Sequence, residues 1–185
     1  MSRRPLGVSS RTRAIRSFEG GRCAVRCGRM AADPVKAFVE VPKGSRNKYE
    51  FNEESGELEF DRRLFAAVSF LTDYGFIPET KTQSGDPLDA LICIDEPTFP
   101  GCVIRVKIIA LFKMRDENGP DHKALCVPLS DPAWSDLDEV EDLPGNLQEE
   151  IAHFFDVYTQ LEEQEVSVEG WGHEGGGDPS PRREP

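Results

Sequence analysis

The chain has 185 residues, enough for one domain of ordinary size with a hydrophobic core. Its formal net charge is -12, but residues 1–30 hold eight of the 22 basic residues and one of the 34 acidic ones, which leaves 14 basic and 33 acidic residues, a net charge of -19, in the rest. An acidic body should repel nucleic-acid phosphates unless cations intervene. No apolar run approaches the roughly 18 residues of a membrane-spanning helix. The sequence therefore predicts neither a nucleic-acid partner nor a membrane segment.

Five cysteines lie at Cys23, Cys27, Cys93, Cys102 and Cys126. The last three are in or beside apolar runs, where a small buried thiol is the usual interpretation. The first two have no matching second pair, so the spacing does not favour a zinc site. An odd count without an apolar signal-peptide core favours a reducing, intracellular setting.

The two ends of the chain differ from its middle. Residues 1–30 are rich in Arg and Ser and poor in acids, as in an organellar transit peptide. Alternatively, translation starts at Met30; we favour this interpretation, which predicts a cytoplasmic protein, with an organellar one as the alternative. The Gly- and Pro-rich residues 171–185 are expected to be a disordered tail, which leaves residues 31–170 as the domain.

The first part of the domain has the patterns of short strands. They are expected in AFVEVPKG, in a hairpin over KYEFNEESGELEFD, in LDALICI at 88–94, in VIRVKIIALFKM at 103–114 and in HKALCVPL. Period-two alternation in the fourth segment places six residues on one face: Ile104, Val106, Ile108, Ala110, Phe112 and Met114. Several short strands separated by turns predict a closed or partly closed small barrel.

The period then changes to that of a helix. In NLQEEIAHFFDVYTQL, apolar residues recur at helical spacing, and Asn146 with Glu149 forms a plausible capping box. We therefore expect an amphipathic helix packed on the barrel. The predicted fold class is α+β and mainly β: a small OB-like closed β-barrel with a flanking C-terminal helix.

Two carboxylates surround a proline in SGDPLDA. Strand alternation puts Asp89 opposite the apolar face of LDALICI, and Pro87 keeps Asp86 out of the strand ladder. Both carboxylates are therefore expected to converge at the entrance of the strand. A solvated loop is the ordinary interpretation of such a pair taken alone.

A second group of charges flanks the turn in MRDENGPDHK. Asp116 and Asp121 are expected to lie across from each other, and Lys123 shares a face with Asp121. Glu50 adds an acid beside Lys48. Carboxylates clustered with basic residues suit Mg²⁺ plus a phosphate, because a hard cation takes oxygen ligands while fixed cations hold the phosphate oxygens.

The motifs resemble a known family. Over about residues 38–170 the chain is similar to the soluble, magnesium-dependent inorganic pyrophosphatases of the barrel type, family I. The matching segments, in order, are VEVPKGSRNKYEF, DR at 61–62, DYGFI, GDPLDAL, FPGCVIR, KMRDENGPDHK, VP at 127–128 and HFFDVY.

The resemblance implies hydrolysis of pyrophosphate to two phosphates with Mg²⁺ as cofactor and no covalent intermediate. It implies that Asp89 and Asp121 bind the metal directly and that Asp116 binds a metal that enters with the substrate. It also implies that Asp86 accepts a proton from the attacking water and belongs to the metal site. Further implied roles are metal support through water by Glu50 and Glu40, and phosphate binding by Lys48, Arg62, Tyr74, Lys123 and Tyr158. A homo-oligomer, commonly a hexamer, is also implied.

Three positions depart from the family pattern. Ser84 stands where the family normally has the first Asp of D-x-D-P-x-D, Phe70 where a substrate-binding Tyr is usual, and Thr159 where Lys is frequent. A neutral Ser is a weaker ligand for Mg²⁺ than a carboxylate. We therefore expect weakened metal affinity, and changes around a metal site cost on the order of 10–100-fold.

The sequence is consistent with three functions to different degrees. The leading hypothesis is an inorganic pyrophosphatase that requires more Mg²⁺. The alternative is a pseudo-enzyme with the pyrophosphatase fold, which binds phosphate or metal or serves as an oligomer partner. An oligonucleotide-binding module is disfavoured because residues 31–185 are strongly acidic and show no row of basic residues that could contact phosphates.

Overall fold

The structure is a computed structural model that describes residues 34–117, 119–160 and 166–172. Its strands are β1 Val35–Val41, β2 Asn47–Asn52, β3 Glu57–Arg63, β4 Asp73–Ile77, β5 Leu88–Ile92, β6 Val103–Asp116, β7 Gly119–Pro120, β8 Lys123–Pro128 and β9 Ser167–Gly172. One α-helix, α1, spans Gly145–Val157, and a 3-10 turn spans Val140–Asp142. The predicted leader at 1–30 lies outside the described residues.

Five strands pair in a closed circuit. β1 pairs with β4 and β6, β4 pairs with β5, and β8 pairs with β5 and β6. Only the β5–β8 pair in this circuit is parallel. The hairpin β2–β3 forms a separate two-stranded sheet. The prediction of a mainly β, OB-like barrel with one flanking helix is confirmed.

Two apolar clusters lie on opposite faces of the ring. One is built from alternate residues of β1, β4, β5, β6 and β8 and lines the inside: Ala37, Val39, Ile77, Leu88, Ala90, Ile92, Val106, Ala124 and Cys126. The other lies on the outer face, where α1 covers the sheet with Ile151, Phe154 and Phe155. Burial of each large side chain there contributes roughly 1.5–3 kcal/mol. Cys93 and Cys126 are buried thiols, as predicted, whereas Cys102 is only partly buried.

A β-bulge in β6 changes which face its residues occupy. The pairing of β6 with β8 shifts between Ile108 and Ala110, so that one extra residue enters the strand. Before the bulge Val106 belongs to the inner cluster, whereas after it Phe112 belongs to the outer one. The prediction of a single face from 104 to 114 is therefore wrong, because one inserted residue reverses a period-two pattern.

The helix starts without the predicted capping box. Pro144 is the N-cap residue, no side chain caps the first turn, and Asn146 lies inside the helix. Pro144 accepts a hydrogen bond from the amide of Leu147 at 2.9 Å. The N-cap at Pro144 thus lies two residues before Asn146, the predicted N-cap residue. Within the described ranges, no helix is long and apolar enough to cross a membrane.

β9 was not predicted from the sequence. It pairs antiparallel with the second half of β6, and its Trp171 packs on Phe112 with ring centroids 5.0 Å apart. The expected start of a disordered tail at residue 171 is therefore wrong, because Trp171 and Gly172 belong to β9; residues 173–185 lie outside the described part of the chain. The aromatic contact stabilises a segment whose glycines alone favour a loop.

Candidate active site

The centre of the site is a buried lysine between two carboxylates. The Nζ of Lys123 donates to Oδ2 of Asp89 at 2.6 Å and to Oδ1 of Asp121 at 2.5 Å. The Lys123 side chain is 3% exposed, and the two carboxylates are 29% and 32% exposed. Burial disfavours the charged form of Lys123, but the two carboxylates outweigh it and raise its pKa. The lysine therefore stays charged.

A tyrosine completes this centre from the neighbouring strand. The hydroxyl of Tyr74 donates to Oδ2 of Asp89 at 2.6 Å. Burial, followed by the negative charge of Asp89, raises the pKa of Tyr74 well above its usual value. The register places Asp89 beside Lys123 across the β5–β8 pair, so strand pairing itself brings the carboxylate and the ammonium together.

A second group of charges lies on the hairpin β2–β3. Lys48 donates to Oε1 of Glu50 at 2.5 Å and lies 3.4 Å from Asp61 Oδ2, while Arg62 pairs with the same oxygen of Asp61. Burial works against the charge on Lys48, but its hydrogen bond to Glu50 and the negative charge of that carboxylate together outweigh burial, and the pKa of Lys48 rises. This arrangement holds two cations side by side on one hairpin. Asp61 was not among the predicted site residues.

Bulges place both Asp61 and Glu40. The β2–β3 register changes from Lys48 opposite Arg62 to Tyr49 opposite Phe60, which makes Asp61 the extra residue. In β1 the register shifts between Val39 and Val41, which makes Glu40 the extra residue. A bulge redirects a side chain that regular alternation would send elsewhere. No period-two pattern in the sequence signals either of them.

Glu40 is a buried carboxylate beside the two charged groups. It is 9% exposed, and its Oε1 accepts a hydrogen bond from the Phe51 amide at 2.7 Å. Burial raises the pKa of Glu40 to about 7, with the negative charge of Asp89 adding to the shift and Lys48 opposing it. Glu40 therefore lies close enough to interact electrostatically with Asp89 of the barrel and with Lys48 of the hairpin.

Tyr158 joins the two groups from α1. It is the C-cap residue of the helix, and its ring stacks on Phe154 at 5.3 Å. Burial raises the pKa of Tyr158, and the ammonium groups of Lys123 and Lys48 work against this shift. Both lysines are thus near one phenol. A tyrosine on an apolar helix face is usually a core residue, but Tyr158 lies near the two lysines.

Asp86 lies in the loop before β5. Its carboxylate is exposed and accepts a hydrogen bond from the hydroxyl of Ser84 at 2.9 Å. Pro87 precedes the first residue of the strand, as predicted, so Asp86 stays out of the ladder. The predicted convergence of Asp86 with Asp89 is not shown: the partners of Asp89 are Tyr74 and Lys123.

Asp116 is the last residue of β6, and Asp121 directly follows β7. Asp116 pairs in register with Gly119 and accepts a hydrogen bond from its amide at 3.0 Å, whereas the Asp121 amide bonds to the Met114 carbonyl. The two aspartates are therefore two pairs apart along the ladder, and the expectation that they lie across from each other is wrong. The short strand β7 pairs with the end of β6, so the paired part of this hairpin is longer than expected and Asp116 lies opposite Gly119.

Two of the departures from the family pattern are buried. Phe70 is 3% exposed and packs on Tyr74 and Phe154 at 5.2 and 5.1 Å. Thr159 is 1% exposed. Both side chains contribute to packing around the site. Ser84, by contrast, is exposed.

The donors at the centre fit a hard divalent cation. The carboxylates of Asp89 and Asp121 converge on one positively charged atom, and both are partly accessible. Within residues 34–117, 119–160 and 166–172, no three acidic, His or Cys side chains are grouped closely enough to hold an ion. Mg²⁺ is commonly held by one or two carboxylates with waters and substrate phosphates, so two converging carboxylates suffice.

Comparisons with known proteins identify the family. Residues 37–175 match the model of the inorganic pyrophosphatase family. The chain belongs to the inorganic pyrophosphatase family. It is 51% identical over 134 residues to the inorganic pyrophosphatase of Methanosarcina acetivorans. This alignment covers 72% of the present chain and 80% of the relative. It is 52% identical over 132 residues to that of Streptomyces coelicolor, with 71% and 80% covered.

The fold agrees with solved inorganic pyrophosphatases. The crystal structure of the Thermus thermophilus protein superposes with a TM-score of 0.74 at 38% identity, covering 79% of this chain and 86% of that one. The family match extends from β1 to β9, so it includes every predicted site residue from Glu40 to Tyr158. The lysine–carboxylate centre thus lies inside the pyrophosphatase domain.

Proposed function

We propose that this protein hydrolyses inorganic pyrophosphate to two phosphates with Mg²⁺, and that it needs a higher Mg²⁺ concentration than its relatives. The observation that carries the proposal is the convergence of Asp89 and Asp121 on Lys123 within a chain of this family. Two oxygens aimed at one positive charge, with further cations beside them, suit a metal and a polyanion together.

Metal binding is assigned to the acids of the site. Asp89 and Asp121 bind the ion directly, Asp116 binds an ion that enters with the substrate, and Glu50 and Glu40 act through water. When bound, Mg²⁺ lowers the pKa of its water and neutralises charge on the phosphoryl oxygens. Burial, followed by the negative charges of Asp89 and Glu50, raises the pKa of Glu40. A cation bound nearby favours the ionised form of this carboxyl.

The basic and phenolic groups bind the substrate. Lys48 and Arg62 lie on one hairpin and both pair with Asp61. Tyr74 and Lys123 both donate to Asp89, and Tyr158 lies near Lys123 and Lys48. Fixed donors of this kind stabilise the charge that develops on the transferred and leaving phosphates. Asp86 accepts the proton of the attacking water, a role that requires a carboxylate within hydrogen-bond reach of that water.

The raised requirement for Mg²⁺ comes from Ser84. A hydroxyl replaces a carboxylate in a loop that the resemblance assigns to metal binding, and it is neutral. The resemblance also supports a homo-oligomer, a hexamer. We propose a cytoplasmic location, with an organellar one as the alternative.

Phosphate release from pyrophosphate by the full-length protein, titrated with Mg²⁺ from micromolar to tens of millimolar, tests the proposal. Turnover that saturates only at millimolar Mg²⁺ is expected. The alternative, a pseudo-enzyme that binds phosphate or metal or serves as an oligomer partner, is favoured by Phe70 and Thr159, which lack the phenol and the ammonium group that the family usually has at these positions. A folded protein without turnover at any Mg²⁺ concentration would establish that alternative.

A further inference from the structure

Ser84 makes a hydrogen bond that a carboxylate at its position could not make. Its Oγ lies 2.9 Å from Oδ2 of Asp86, and because an ionised carboxylate only accepts, Ser84 is the donor. The hydroxyl of Thr82 lies 2.8 Å from Oγ of Ser84 and 3.0 Å from the carbonyl oxygen of Asp86. The side chain of Asp86 is therefore held within its own loop.

The backbone of this loop is closed by two further hydrogen bonds. The Thr82 amide donates to the Asp86 carbonyl at 2.8 Å, and the Gly85 amide donates to the Thr82 carbonyl at 3.2 Å. Gly85 has a φ of 99°, a conformation that favours glycine. Backbone and hydroxyl bonds together close residues 82–86 into one turn, using protein groups alone.

The chemistry of this pair differs from that of two carboxylates. Two aspartates facing each other repel and come together only around a proton or a cation. A hydroxyl facing a carboxylate attracts it and fixes one of its oxygens. In this chain, then, the orientation of Asp86 does not depend on a metal ion between positions 84 and 86.

We propose that Ser84 is a positioning residue, which orients Asp86 by hydrogen bonding so that its free oxygen accepts a proton. The inference rests on the proposed pyrophosphatase activity but differs from the weakened metal affinity argued above. Loss of a ligand changes the Mg²⁺ concentration required for turnover. Loss of the hydrogen bond changes kcat when Mg²⁺ is saturating.

Three substitutions at this position separate the two effects. Ser84→Ala removes the donor and should lower kcat about 3- to 10-fold at saturating Mg²⁺, with KM unchanged, as expected for one hydrogen bond to a charged group. Ser84→Thr keeps the hydroxyl and should retain wild-type kcat. Ser84→Asp exchanges the donor for a ligand, so it should lower the Mg²⁺ midpoint without raising kcat at saturation.

A second readout uses the full-length protein in EDTA. Amide hydrogen exchange of Thr82 and Gly85, followed by NMR, should be about 3- to 10-fold faster in Ser84→Ala and unchanged in Ser84→Thr, since the side-chain bond helps to close the turn. Gln83→Ala, a change at the exposed neighbour in the same loop, is the matched control and should alter neither exchange nor kcat.

Each outcome decides a separate point. Lower kcat and faster exchange in Ser84→Ala, both rescued by Thr, support the inference. Wild-type kcat in Ser84→Ala, or failure of Thr to rescue, overturns it while the pyrophosphatase proposal stands. A folded wild-type protein without turnover overturns the proposed function, and the positioning role with it.

Discussion

Lys123 and Asp89 are register partners on the parallel strands β5 and β8, and their side chains meet at 2.6 Å with the lysine almost fully buried. The ion pair is thus set by the pairing of two core strands. Such a pair keeps its geometry because the strands on which it lies cannot shift without disrupting both apolar clusters.

Replacing Lys123 by Met should impair both stability and activity. The carboxylates of Asp89 and Asp121 would lose their shared cation, at a cost of about 2–3 kcal/mol after allowance for their partial exposure. The loss of a phosphate donor should lower kcat by about 10²–10³-fold. Thermal unfolding and phosphate release measure the two effects, with the exposed Lys36→Met as the control. Wild-type turnover in Lys123→Met would contradict the assignment.

Glu40 should give the metal-free protein a stability that depends on pH. Its folded-state pKa of about 7 lies above the ordinary 4.5, so the folded protein holds an extra proton between these values, and stability falls as pH rises through this window. Glu40→Gln removes the titration and should be more stable than wild type above pH 7 by up to about 3 kcal/mol. Urea unfolding in EDTA at pH 5 and pH 8 measures the difference. An equal difference at both pH values would show that Glu40 has an ordinary pKa.

Ser84→Asp should lower the Mg²⁺ concentration at half-maximal turnover by about 10-fold or more, because it supplies a carboxylate to the metal site. The measurement is phosphate release across a Mg²⁺ titration of both proteins. If the two midpoints coincide, Ser84 is not the cause of weak metal binding.

Asp86→Asn should abolish turnover and leave the fold intact. An amide cannot take up the proton of the attacking water, and loss of a general base costs about 10²–10⁴-fold in rate. The side chain is exposed, so the free energy of unfolding should change by less than about 0.5 kcal/mol. Asp95→Asn, at another exposed aspartate, should have wild-type kcat. Full activity in Asp86→Asn would remove Asp86 as the base.

Gly75→Ala should destabilise the barrel. A Cβ at Gly75 would lie 1.8 Å from the carbonyl oxygen of Phe38, so β1 and β4 would have to separate next to Tyr74. We expect a loss of about 3 kcal/mol or more in chemical denaturation. Gly145→Ala, where a Cβ meets nothing within 4 Å at the start of α1, should be neutral or slightly stabilising. Similar unfolding midpoints for the two variants would argue against the close β1–β4 contact.

Elements with a strong hydrophobic period or a specific motif were predictable from the sequence alone. The hairpin β2–β3, the strands β5, β6 and β8, and helix α1 were predicted because burial of one face imposes a pattern on consecutive residues. Lys123 and Asp121 were expected to share a face from their two-residue spacing, and their side chains do meet, although β8 starts only at Lys123.

Features that depend on breaks in those patterns, or on contacts between distant residues, could not be predicted from the sequence. The bulges at Glu40, Asp61 and Ile109 each insert one residue, and where a ladder accepts an extra residue depends on its partner strand. β9 forms because Trp171 packs on Phe112, which is distant in the sequence. Tyr158 likewise becomes a neighbour of Lys48 and Lys123 only because α1 packs against the barrel. Local sequence specifies a period, but only packing between distant segments specifies which face, and which neighbour, each residue has.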